Sequence, residues 1–151
     1  MEKRNVQAIF QMLDSFVKEF SINTLKKIDN KENLNIQGQL GFRIINIIEE
    51  ENEFKGQIEL INDIKIMLEN DELAVIHIAM QGLFSGEKNQ NNNREKFEDM
   101  LKINGATTLS HLIRAYVYTT TGLSGMPQIT TPMINFVEFF KNAKTQNEEI
   151  K

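Results

Sequence analysis

The chain has 151 residues, a formal net charge of −4 and no cysteine. One domain is the expectation at this length, burying roughly 68–70 % of its unfolded surface, enough for a core without covalent staples. The acidic balance offers no basic field for a phosphate backbone, and the lack of cysteine excludes disulfides, thiol catalysis and zinc–thiolate sites.

The N-terminal stretch MEKRNVQAIFQML has no apolar core and no small-residue cleavage site of the kind a secretory leader carries. No run approaches the ~18 apolar residues of a membrane span. A cytoplasmic protein, without nucleic acid and without stable membrane insertion, is the expectation. Residues 4–20 place Val6, Ile9, Phe10, Leu13, Phe16, Val17 and Phe20 at steps of three and four, which predicts an amphipathic helix. A short strand-like piece, INTLKKI, follows, and then the polar break Asp29 to Asn33.

The period then changes to two. In LNIQGQLGFRIINII the even positions hold Leu34, Ile36, Leu40, Phe42, Ile44 and Ile48; in FKGQIELINDIKIML they hold Phe54, Ile58, Leu60, Ile64, Ile66 and Leu68. Such alternation predicts long antiparallel strands with one wet face. The acidic tip Glu49, Glu50, Glu51, Asn52, Glu53 joins them as a hairpin, Asn70 to Glu72 makes the next turn, and LAVIHIAMQGLF is a further strand. Residues 85–95 read as a mobile polar loop, KFEDMLKI as a short helical turn, and MINFVEFFKNAK as a closing helix before a disordered tail, 145–151. The fold class is α+β: a four-stranded antiparallel meander with two C-terminal helices on one face and an extra N-terminal helix. The domain plan is 1–19 for that helix, 20–144 for the main domain and 145–151 for the tail.

Catalytic chemistry finds little support. His77 and His111 lack partners at ligand spacing, and Glu59, Asp63 and Lys65 read as a solvated strand face. No phosphate loop, nucleophile elbow or nucleotide-binding glycine cluster occurs. An enzyme is not expected, nor a metal or cofactor.

The informative stretch is NGATTLSHLIRAYVYTTTGLSGMPQITTP, residues 104–132. Leu109, Leu112, Ile113, Tyr116 and Val117 form a core-facing helical stripe, with Thr107 or Thr108 as cap and Gly122 as the left-handed stop. The remaining face carries Ser110, Ala115, Tyr118, Thr119 and Thr121, with Arg114 its one charge. Threonine is a poorer helix former than lysine or glutamate, so a merely solvated face gains nothing from it. One reading packs both faces within the subunit. The other, favoured by the hydroxyls and tyrosines, docks the helix on a second copy through Ser110, Arg114, Tyr116, Tyr118, Thr119 and Thr121.

These residues resemble the SecB protein-export chaperone family. The ordered matches are Asn104-Gly105, Arg114 and Tyr116, Thr119 and Thr121, Leu123, Gly125 and Pro127, then Pro132, Asn135 and Phe136. Upstream, Gly82 and Phe84 are similar to the family's Gly-x-Phe strand ending, and FSINTLKKID to its first strand. The likeness covers residues 20–142 and departs at Ser110-His111, where the family has Phe-Pro, at Gln128 for a second proline, and at Thr131 for a leucine.

The resemblance implies helix-paired dimers assembled into a homotetramer, no catalysis, no ATP, and apolar grooves that hold unfolded preproteins for the Sec translocase and its SecA motor. Candidate groove residues are Phe42, Ile44, Phe54, Met126, Ile129, Met133, Phe136 and Phe140, each of which core packing also explains. The tip residues Glu49, Glu50, Glu51 and Glu53 offer a docking point for the motor or an ordinary solvated turn. The extra N-terminal helix either caps the groove or extends the oligomer. Beside a general export holdase stand a chaperone dedicated to one client, such as an antitoxin, and a non-chaperone interaction module.

Overall fold

The computed structural model describes residues 9–149, with side chains placed for residues 9–142. The two regions of alternation form β2, Leu34–Glu49, and β3, Glu53–Leu68. A bulge at Ile45 of β2 shifts the register, so Ile47 packs on the core and Ile48, an even position predicted to share the apolar face, is 50 % exposed. They pair antiparallel, with Phe42 opposite Leu60 and Gly38 opposite Ile64. A tight turn at Glu69 and Asn70 leads into β4, Asp71–Glu87, which returns along β3. Strands β2 to β4 are the expected meander.

The first strand departs from the expectation. Residues predicted as a helix up to position 20 form β1, Phe10–Thr24, antiparallel to β4 at the sheet edge; the predicted residues 4–8 lie outside the described region. Two bulges explain the misreading. The register slips between Met12 and Asp14 and again between Val17 and Glu19, so Leu13 and Lys18 are extra residues. Inward side chains therefore fall at 10, 12, 15, 17, 20, 22 and 24. Each bulge turns a step of two into a step of three, and the mixture imitates helical spacing. There is no N-terminal helix over residues 10–19.

The sheet order is β1-β4-β3-β2, so it is not a plain meander: the chain crosses from one edge to the other after β1, in a Greek-key arrangement. The crossing is anchored at its start. Leu73, the extra residue of a bulge in β4, accepts hydrogen bonds from the N–H groups of Leu25 and Lys26 at 2.8 and 3.1 Å. Ile28 then enters the core.

The loop after β4 is shorter than predicted, because residues 85–87 belong to β4 and 94–95 to the first helix. Asn92 donates through its side chain to the Glu87 carbonyl, and Asn93 caps α1, Arg94–Met100, by accepting from the Lys96 N–H at 2.9 Å. A π-helical segment, Leu101–Gly105, carries α1 directly into α2, Ala106–Leu123. The helix therefore begins thirteen residues before Thr107, and neither Thr107 nor Thr108 caps it. Their hydroxyls donate instead to the carbonyls of Ile103 and Asn104, one turn back. The C-terminal stop is Gly125, at φ +80°, rather than Gly122. Met126 N–H reaches the Thr121 carbonyl and Gly125 N–H the Gly122 carbonyl, both at 3.4 Å, which is the Schellman pattern. The last helix, α3, spans Phe136–Glu149 and takes in most of the predicted disordered tail; residues 150–151 lie outside the described region.

All helices lie on one sheet face. Phe97 of α1 stacks on Phe54 at 5.4 Å and meets Phe10 at 6.0 Å. Close approach needs bare backbone beneath it: a Cβ on Gly56 would sit 2.5 Å from Leu101 Cδ1, and one on Gly86 2.7 Å from Phe97 Cδ2. From α2, Leu109, Ile113 and Val117 fill the centre of the core against Ile58, Leu60, Ile76 and Ile78. No helix among the described residues is long and apolar enough to cross a membrane.

Candidate functional site

Beyond Met126 the chain does not fold onto the core as a helix. Residues 126–135 run as an extended link over the sheet near β2, between the end of α2 and the start of α3. Two side chains of α2 hold it there. Arg114 Nε donates to the Thr131 carbonyl at 2.8 Å, and the Thr121 hydroxyl accepts from the Ile129 N–H at 2.9 Å while donating to the Val117 carbonyl at 2.7 Å. Ile129 is buried, so without Thr121 its amide would lack a partner.

Under the link lies an apolar groove. One cavity of about 130 Å³ is lined by Ile36, Gly38 and Leu40 of β2, Asn62 and Ile64 of β3, and Thr131, Pro132 and Ile134 of the link. A second, of about 170 Å³, lies between Lys31, Leu34 and Ile36 on one side and Gln128, Ile129 and Thr130 on the other. Ile36 borders both, so the two are successive stations along one strand. Farther along β2, Phe42 meets Phe140 of α3 edge-on at 5.0 Å, and Phe140 in turn packs on Phe139 and Phe136.

The predicted groove residues divide. Phe42, Ile44 and Phe140 are half-buried along β2 and α3. Ile129 forms part of the second cavity. Phe54, Met126 and Phe136 are closed into the core at 1, 7 and 2 % exposure and are not among the residues that line either cavity. Met133 is 70 % exposed on the outer side of the link. Sequence reasoning missed Gly38, Asn62, Thr131 and Ile134. Asn62 carried a signal, being a polar residue at a core-facing even position of β3.

The predicted interface residues also divide. Ser110 and Thr121 are buried in their own subunit, and Arg114 is committed to the link. Tyr116 packs edge-on against Phe20 of β1 at 4.9 Å, and Lys31 lies 5.8 Å from the Tyr118 ring centre. Thr120 donates back to the Tyr116 carbonyl at 2.7 Å. Most of the hydroxyl-rich face thus serves the subunit itself. A second trough, about 640 Å³ and open, runs between β1 and α2; Phe16, Val17, Met80, Leu112, Thr119 and Leu123 are among its walls.

On the far face of the sheet, Glu59 is buried at 3 % exposure and is not the solvated residue predicted. Burial acts most strongly on its carboxyl and raises the pKa. Hydrogen bonds from Arg43 at 2.6 Å and Gln81 at 3.0 Å, with the charges of Arg43 and Lys18, together outweigh burial and hold it below the ordinary carboxylate value. Lys18 reaches this site from the second bulge of β1. The acidic tip is partly compensated: Glu49 pairs with Lys88 at 2.6 Å, and Lys55 lies 3.3 and 3.5 Å from Glu50 and Glu53. Among the described residues no cluster of histidine and carboxylate side chains could hold a metal ion. What the arrangement offers is binding: an apolar trough with a pinned wall.

Comparison with one solved structure agrees with this architecture. One solved structure it resembles is a SecB-like chaperone of Mycobacterium tuberculosis in complex with a ChAD peptide from the HigA1 antitoxin, with a TM-score of 0.60, 17 % identity, and coverage of 83 % of this chain and 91 % of that one. Another is a protein of unknown function from Streptococcus agalactiae, with a TM-score of 0.44, 14 % identity, and coverage of 82 % of this chain and 96 % of that one. No curated protein sequence matches. The sequence model described as preprotein translocase subunit SecB matches residues 3–147, nearly the whole chain, and the chain therefore belongs to the SecB family.

Proposed function

We propose that this protein is an ATP-independent chaperone that holds unfolded polypeptide in the groove between β2 and the link and keeps it competent for export. The observation that carries the reading is the pair of successive apolar cavities sharing Ile36 beneath a link that Arg114 and Thr121 hold away from collapse. Family membership supports a chaperone role. Extended apolar segments fit such a trough because each buried Å² gives about 25 cal/mol whatever the side-chain identity. Ordering the client consumes much of that gain, and net affinities of roughly micromolar to nanomolar remain.

A second reading, a chaperone dedicated to one client such as an antitoxin, draws on the complex in which the M. tuberculosis protein was captured. Suppression of aggregation separates the two. Protection of several unrelated denatured proteins is expected for a general holdase, and protection of one for a dedicated chaperone. Ile36→Asp, which puts a charge where the two cavities meet, is expected to weaken client binding at least ten-fold; protection of nothing, or an unaffected variant, rejects the groove. Self-association is part of the proposal, with the trough between β1 and α2 as its surface. Docking of the export motor at the tip is left to Glu51 and whatever charge the lysine pairs do not neutralise.

A further inference from the structure

The 130 Å³ cavity is lined mainly by apolar side chains, and the two polar side chains in its wall, Asn62 and Thr131, each bury one oxygen without a hydrogen-bond partner. Asn62 is 6 % exposed and Thr131 3 % exposed. Among the described residues only three buried side-chain polar atoms lack a hydrogen bond, and two of them, Asn62 Oδ1 and Thr131 Oγ1, belong to residues lining this one cavity. Buried polar groups in folded proteins are paired almost without exception, and an orphan asks what completes it. Two orphans at one cavity, contributed by the sheet and by the link, ask it together.

We propose that Asn62 and Thr131 form a polar subsite within the groove, which selects client segments carrying a neutral hydrogen-bond donor, an Asn, Gln, Ser or Thr side chain, within an apolar extended stretch. The proposal rests on the reading of the groove as a polypeptide-binding site. Three observations set the chemistry. No Asp, Glu, Lys or Arg lines the cavity, so a cationic donor would enter without a counter-charge and a neutral one is preferred. The volume far exceeds the ~10–15 Å³ that one water needs, so a single bridging water does not fill it and a side chain does. Gly38 keeps the approach open, because a Cβ there would lie 3.2 Å from Asn62 Oδ1. Thr131 is held in place by the Arg114 bond to its own carbonyl.

The test uses the full chain and two labelled synthetic peptides, identical apolar sequences with Gln or Met at one central position. Fluorescence anisotropy is expected to show the wild-type protein binding the Gln peptide about five-fold more tightly or better, the effect of roughly one net hydrogen bond. In Asn62→Leu/Thr131→Val the preference is expected to vanish or invert, while the Met peptide binds at least as well as before. An unchanged or higher denaturation midpoint shows that the fold is kept; should the pair not fold, Thr131→Val alone is expected to reduce the preference. Equal, measurable binding of both peptides by the wild type overturns the subsite and leaves the groove standing. So does a preference that survives the substitutions. Binding of neither peptide by the folded wild type removes both.

Discussion

His77 lies on the open sheet face with Asp63 of β3 at 2.6 Å from Nδ1 and Glu19 of β1 at 3.0 Å from Nε2. Both nitrogens face carboxylates, so the doubly protonated ring is the form that satisfies all three groups. The hydrogen bond to Asp63, then that to Glu19, raise the pKa above the usual 6.5. A raised folded pKa means the contribution is complete below ~6.5 and is lost as pH rises through the folded value. The site is a third exposed, so the effect is no more than about 1 kcal/mol. Denaturation midpoints measured from pH 5.5 to 9 are expected to fall for the wild type and to stay flat for His77→Gln; a parallel fall in the variant would assign the dependence elsewhere. Glu59 makes a sharper case because it is buried. Removing Arg43 leaves its carboxylate with Lys18 and Gln81 alone, and Arg43→Ala is expected to destabilise by about 2–3 kcal/mol. Adding Glu59→Gln is expected to recover part of that loss, a non-additivity that a double-mutant cycle reads directly.

Among the elements, α2 shows best how a correct observation leads to an incomplete conclusion. Its hydroxyl-rich face was legible as unusual, yet Thr120 and Thr121 bond back along their own helix, Thr121 also accepts from the link, and Thr119 is left on the wall of the trough beside β1. That the partner would be residue 129 of the same chain, rather than a second copy, depends on where the link runs, and no periodicity encodes that. Thr121→Val keeps the shape, removes the acceptor for a buried amide, and is expected to cost about 1–3 kcal/mol in denaturant titration and to weaken client binding by loosening the wall. Strands β2 and β3 were legible because their alternation persists for ten residues or more. In β1 two bulges broke the period, and a run of Phe and Val at steps of three was the result. The groove was half legible for a related reason. Phe42 and Phe140 announce themselves as large apolar residues, whereas Gly38, Asn62 and Thr131 matter by what they leave open or unpaired. Gly56 is the complementary case, since its Cβ would strike Leu101. Gly56→Ala is expected to lower the thermal midpoint by an amount equivalent to about 1–3 kcal/mol.

At the scale of the molecule, the distribution of exposed apolar surface argues that the single chain is not the finished particle. Leu123 is 82 % exposed and Phe16 50 % exposed, and both border the trough between β1 and α2, on the opposite side of α2 from the link. Large apolar side chains gathered around one concavity mark an interaction surface. The two troughs differ in a way that assigns them different occupants. The groove by β2 has a pinned wall and orphaned polar atoms suited to a transient extended guest, whereas the trough by β1 is wider and lined by helix and strand, which suits a rigid folded partner. The self-association proposed above would place a second copy on this same surface. Light scattering across a concentration series is therefore expected to give a mass above one chain. Leu123→Glu/Phe16→Glu is expected to shift it towards the single subunit, with little change in unfolding by denaturant at the lowest concentrations, because neither side chain belongs to the core. Peptide binding in the β2 groove should survive in that dissociated variant if each subunit carries a complete groove; its loss together with the mass would mean that the groove is completed across the subunit boundary.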